Sequence, residues 1–203
     1  TLCTSERIQG LFDWVRHQPE LQAKLALIHR AYTAIRDEKS LYQAMAASVL
    51  LESYLFYSGF FYPLYLAGQG RMTSSGEIIS LIIRDEAIHG VYVGLLAQGL
   101  YSRMSDKEQR KAERAVEELL ERLDALEARY TQKLYSAVGL EDEVLRFSRY
   151  NADKALMNLG LEPFVQVEAE AVNPVVLAGL RTETKNHDFF STKGNGYVKA
   201  IRV

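Results

Sequence analysis

Ile82-Ile83-Arg84-Asp85-Glu86-Ala87-Ile88-His89-Gly90 sets a glutamate and a histidine three residues apart inside an apolar run. On an α-helix, residues i and i+3 lie about 60° apart in projection, so Glu86 and His89 reach the same face. The flanking Ile79, Ile82, Ile83, Ile88 and Val91 predict that this face is interior. Glu-x-x-His in an apolar helix is ligand chemistry of carboxylate-bridged dinuclear metal proteins. Carboxylates neutralise and bridge two hard cations, and imidazole adds a nitrogen ligand. Taken alone the motif is weak, because chance solvated pairs are common. Asp85 has two open readings: a surface acid, or an acceptor that orients the metal-bound imidazole.

Upstream, Glu52 is the only formally charged residue between Leu41 and Gly70. A stretch this long and apolar could span a bilayer. A mid-span charge, hydroxyls at Tyr54, Tyr57, Tyr62 and Tyr65, and no flanking basic cluster argue instead for a buried bundle helix. A buried glutamate must be paired, protonated or metal-bound. Glu52 with Glu86 and His89 therefore strengthens the metal reading, and no membrane is expected.

Further outward, the chain is punctuated as helix almost throughout. Amphipathic segments are expected at about 5–17, 20–36, 40–66, 73–101, 105–135 and 140–158. Thr73 and Ser74 are candidate caps, and Ser105 with Glu108 forms a capping-box pattern. The fifth segment is charge-rich, with Asp106–Arg110 and Glu118–Arg122 at i,i+4, and reads as a solvated outer face without chemistry. Six helices with short connections predict an all-α bundle. Residues 1–160 are expected to form it, and 161–203 an irregular segment and mobile tail.

Composition limits the function classes. The 203 residues carry 24 Lys+Arg against 26 Asp+Glu, a formal charge of -2, which argues against a broadly basic nucleic-acid binder. The single cysteine, Cys3, makes no internal disulfide and no zinc-finger spacing, so a reducing cytoplasmic setting is the default. The first residue is Thr1 rather than Met, which raises the expectation of a fragment.

Leu51-Glu52-Ser53-Tyr54-Leu55-Phe56-Tyr57-Ser58-Gly59-Phe60, followed by Arg84-Asp85-Glu86-Ala87-Ile88-His89, resembles the small, radical-generating subunit of class Ib ribonucleotide reductase. The likeness extends to Asn186-His187-Asp188-Phe189-Phe190 and to Gly194-Asn195-Gly196-Tyr197-Val198. It implies a ferritin-like helical bundle holding a dinuclear manganese or iron site. It further implies a tyrosyl radical, passed to the large catalytic subunit to start reduction of ribonucleotides to deoxyribonucleotides.

By the same resemblance, Glu52, Glu86 and His89 are metal ligands, and Asp85 passes the radical outward. Phe56, Phe60 and Ile82 wall the radical pocket. Ser53, Tyr57, Lys154 and Asn158 line a channel for an oxidant from a flavodoxin-like activator. Tyr197 relays the radical from the tail. A homodimer and a cytoplasmic location are implied too, with no nucleic-acid partner.

The departures weigh as much as the matches. The family's radical tyrosine, an Asp ligand and a second Glu-x-x-His have no counterpart here, leaving three of six ligands. His17, His29 and His187 read as surface or packing residues. The expectation is an incomplete bundle lacking its first helices, inactive alone. A separately encoded N-terminal half is one way to complete it. The other readings are a ferritin-like dinuclear-metal oxidase and a non-catalytic dimerising remnant.

Overall fold

The computed structural model describes residues 3–176, which are mostly helical and contain no strand. The α-helices are α1 (Ser5–Arg16), α2 (Pro19–Thr33), α3 (Glu38–Leu50), α4 (Tyr57–Gly68), α5 (Thr73–Tyr101), α6 (Asp106–Tyr135) and α7 (Glu141–Asn158). The sequence boundaries hold to within a few residues for all but the third segment. That segment is two helices, α3 and α4, joined by a π-helical turn at Leu51–Leu55. A π turn widens the helix locally and marks functional positions out of proportion to its rarity; this one contains Glu52.

Helix starts follow local hydrogen-bond chemistry. The Thr4 hydroxyl accepts from the Arg7 amide at 3.3 Å, and Pro19 opens α2, where its missing N–H costs nothing. Asp37 and Ser40 cap α3 reciprocally, at 2.8 and 2.9 Å. At α6 the Glu108 carboxylate accepts from the Ser105 amide at 2.9 Å, as the capping-box pattern predicts. The expected Thr/Ser cap of α5 is a correction. Its entry residue is Met72 at φ 50°, without a side-chain cap, and Thr73 is already helical.

Two apolar clusters hold the bundle. The larger joins Ile28 of α2, Tyr42, Val49 and Leu50 of α3, Ala97 of α5, Val116 and Leu120 of α6 and Ala155 of α7, all buried. The smaller gathers Tyr57, Phe61 and Leu64 of α4 with Val144 and Phe147 of α7. Each such side chain contributes about 1.5–3 kcal/mol by leaving water. The apolar run Glu38–Gly68 is long enough to cross a membrane, but 61% of its apolar window is buried inside the fold.

Residues 161–176 are largely irregular and pack back on the helices. The Asp153 carboxylate accepts from the amides of Phe164 (2.7 Å), Val165 (3.0 Å) and Val167 (2.9 Å). Val172 and Val176 complete the smaller cluster.

Asp106, Arg110, Glu118 and Arg122 of α6 are exposed, as a solvated outer face requires, but Asp106–Arg110 and Glu118–Arg122 form no ion pair among the described residues. Asp124, Glu127 and Thr131 instead turn inward, in line with Val116 and Leu120. Lys24 of α2 reaches Glu127 at 2.5 Å, with both side chains almost wholly buried.

Candidate metal centre

Glu52 projects from the π turn, and Glu86 and His89 from the middle of α5. One ligand atom from each lies within 4.8 Å of the others. His89 Nδ1 is 3.3 Å from Glu86 Oε2 and 3.9 Å from Glu52 Oε2. Metal–ligand bonds of about 2.1 Å separate neighbouring donors by about 3–4 Å. The histidine pairs already fall in that range, and the two carboxylates lie within 4.8 Å of each other.

Electrostatics favour a cation here. Glu52 Oε2 is buried without a hydrogen-bond partner among the described residues. Its burial pushes the carboxyl above the usual range; His89 offsets this and the charge of Glu86 adds to it. A carboxylate held without a donor beside a second carboxylate and an imidazole fits a hard divalent ion. Manganese(II) and iron(II) both match that donor set.

The apolar flanks predict an interior pair; Glu86 is largely buried, at 18% exposed, but His89 is not interior. The His89 side chain is 57% exposed, and Ile82, Ile88 and Val91 are exposed as well. The reason is helical phase. Ile83, Gly90, Gly94 and Ala97 form the buried stripe of α5, so residues offset from it face outward. Among the described residues, no element covers them. Glycine permits the close packing on the buried side. A Cβ at Gly90 would lie 2.0 Å from Ser53 Oγ, and one at Gly94 would lie 2.3 Å from the Asn158 carbonyl oxygen.

Ser53, Tyr57, Lys154 and Asn158 do come together. They line a cavity of about 330 Å³ with Ile83, Ala87, Val91, Asn151 and Met157. Ser53 and Ala87 are the sequence neighbours of the two carboxylates, so this cavity adjoins the cluster. Burial, then the charge of Glu86, pushes the Tyr57 phenol up to about 12, keeping it a neutral hydroxyl. Lys154 rests its ammonium 4.5 Å from the Tyr150 ring centroid.

The other predicted site residues are less gathered. Phe56 and Phe60 meet edge to face at 6.2 Å. Phe56 is 36% and Ile82 37% exposed, so neither is sealed from water among the described residues. Asp85 is exposed and makes no hydrogen bond or ion pair among those residues, to His89 or otherwise. His17 and His29 lie on the surface. Tyr197 and His187 fall outside the described residues.

Sequence reasoning missed Tyr54, Asp124 and Arg149, which form a buried network behind the π turn. The signal was present: Asp124 continues the Val116–Leu120 stripe at helical spacing.

Comparison with known proteins gives one family. The model of the ribonucleotide reductase small chain matches residues 1–174. Ribonucleoside-diphosphate reductase subunit beta of Bacillus subtilis is 54% identical over 202 residues, covering 98% of this chain and 61% of that protein. Ribonucleoside-diphosphate reductase 2 subunit beta of Escherichia coli is 40% identical, covering 100% and 63%. The chain thus spans about three fifths of these relatives' length. The crystal structure of Streptococcus sanguinis dimanganese(II)-NrdF superposes with a TM-score of 0.84 at 42% identity, over 89% of this chain and 62% of that one.

Proposed function

Because the chain belongs to the ribonucleotide reductase small-chain family, we propose that it supplies one wall of the dinuclear metal site of a ribonucleoside-diphosphate reductase small subunit. The observation that carries this is the convergence of Glu52, Glu86 and His89 on one point. In this reading the ions, when bound, supply the oxidising power that generates a tyrosyl radical. The Streptococcus relative is a dimanganese protein, so manganese is the favoured metal, with iron as alternative.

The chain's own residues have distinct tasks. Glu52 and Glu86 would hold and neutralise the ions, and His89 would add a nitrogen ligand. Ser53, Tyr57, Lys154 and Asn158 hold open a polar passage beside the carboxylates, suited to an oxidant delivered by a flavodoxin-like activator. Phe56, Phe60 and Ile82 form an apolar flank that excludes water once covered. Asp85 and Tyr197 serve radical transfer towards the large catalytic subunit. The whole protein works as a cytoplasmic homodimer with that subunit.

Two bridged ions need more donors than three side chains supply. The remaining ligands therefore come from outside the described residues, and the chain alone is expected to hold about one ion without forming a radical. Electron paramagnetic resonance tests both points at once. Titration of the chain with Mn(II) should quench the free-ion spectrum up to about one equivalent. Later addition of oxidant should give no organic-radical signal. A radical from this polypeptide alone would overturn the three-ligand account, and absence of Mn(II) uptake would overturn the site itself.

A further inference from the structure

The π turn offers three polar side chains in succession, Glu52, Ser53 and Tyr54. Glu52 Oε2 and Ser53 Oγ are buried without a hydrogen-bond partner among the described residues. Tyr54 differs: its hydroxyl donates to Asp124 Oδ1 of α6 at 3.3 Å. Asp124 is gripped in turn by Arg149 of α7, which donates from Nε to Oδ1 at 3.0 Å and from Nη2 to Oδ2 at 2.7 Å. The bidentate geometry fixes the carboxylate more firmly than one bond would.

Residues two apart on a helical backbone point in roughly opposite directions. Holding Tyr54 against α6 therefore holds Glu52 towards α5. A π turn has poorer intrinsic stability than the α-helix it interrupts, so its register depends on tertiary contacts. We propose that Asp124, clamped by Arg149, is a positioning residue for Glu52 and acts through the Tyr54 hydroxyl. This rests on the metal-site reading above and extends it to three residues that touch no metal. The expected effect is that of outer partners of metal ligands, about 10–100-fold in affinity.

The test uses the full chain with two substitutions, Tyr54→Phe and Asp124→Asn. Tyr54→Phe removes one oxygen and keeps the buried ring, so it preserves the fold if Asp124→Asn does not. Amide hydrogen exchange is followed across residues 51–56 and across α2 as an internal reference. Mn(II) affinity is measured in parallel. The expected result is exchange about 10-fold faster in the π turn, unchanged exchange in α2, and Mn(II) affinity at least about 10-fold weaker. Unsubstituted chain that binds Mn(II) alongside a Tyr54→Phe variant with the same affinity and the same π-turn exchange would overturn the positioning role alone. Unsubstituted chain that takes up no Mn(II) would overturn the site reading and the positioning role with it.

Discussion

Glu86→Ala is expected to weaken Mn(II) binding at least about 100-fold while leaving the metal-free fold intact, since a direct ligand outweighs the outer partners of a ligand. Glu86 lies at the edge of the buried stripe of α5, with an 18% exposed side chain whose polar contact is His89. Truncation loses the contacts of this largely buried side chain. It also relieves repulsion, because Glu86 is one cause of the raised Glu52 carboxyl. Lost contacts and relieved repulsion oppose each other, so stability without metal should fall by about 1 kcal/mol or less. With Mn(II) at 100 times the parent's Kd the parent gains about 2.7 kcal/mol by mass action, and the variant should gain about 0.4 kcal/mol or less. Thermal unfolding with and without Mn(II) reads both effects. The ligands must be deprotonated, and burial raises Glu52, so uptake should strengthen as pH rises through the range where Glu52 ionises. Equal Mn(II)-induced stabilisation of parent and variant would sink the assignment.

The largest stability effect is expected at a distance from the metal. Glu127→Ala should cost about 3–5 kcal/mol, because it leaves the Lys24 ammonium buried without its partner. Glu127 is fully buried and Lys24 is 5% exposed, so water cannot replace the lost carboxylate. The ring of Tyr130, 4.1 Å from Lys24 Nζ, compensates only in part. For a domain of this size the loss corresponds to roughly 10 °C or more in Tm. The double replacement Lys24→Met with Glu127→Leu should recover most of it, since removing both charges removes both desolvation costs. A single substitution costing less than about 1 kcal/mol would show that the pair is hydrated rather than buried.

Much of this was legible in the residues. Helix limits followed from caps such as Ser105 with Glu108, because such signals are local. Glu52, Glu86 and His89 stood out because charge is rare in apolar helices, and the structure brings them together. The exposure of His89 was not legible. Periodicity identifies an apolar stripe but not which neighbour covers it, and α5 is apolar nearly all round. The π turn was equally hidden, since one extra residue per turn leaves little compositional trace. The inward turn of Asp124 and Glu127 was missed because charges on an acidic and basic helix read as solvated, although both continue a buried stripe.

The account stands on one placement: a metal ion held between the π turn and α5. Crystals of the chain grown with Mn(II) and measured at the manganese absorption edge test it directly. The predicted result is an anomalous peak within about 2.2 Å of carboxylate oxygens of Glu52 and Glu86 and of His89 Nδ1. Manganese bound elsewhere on the chain, with no peak between those three side chains, would contradict it.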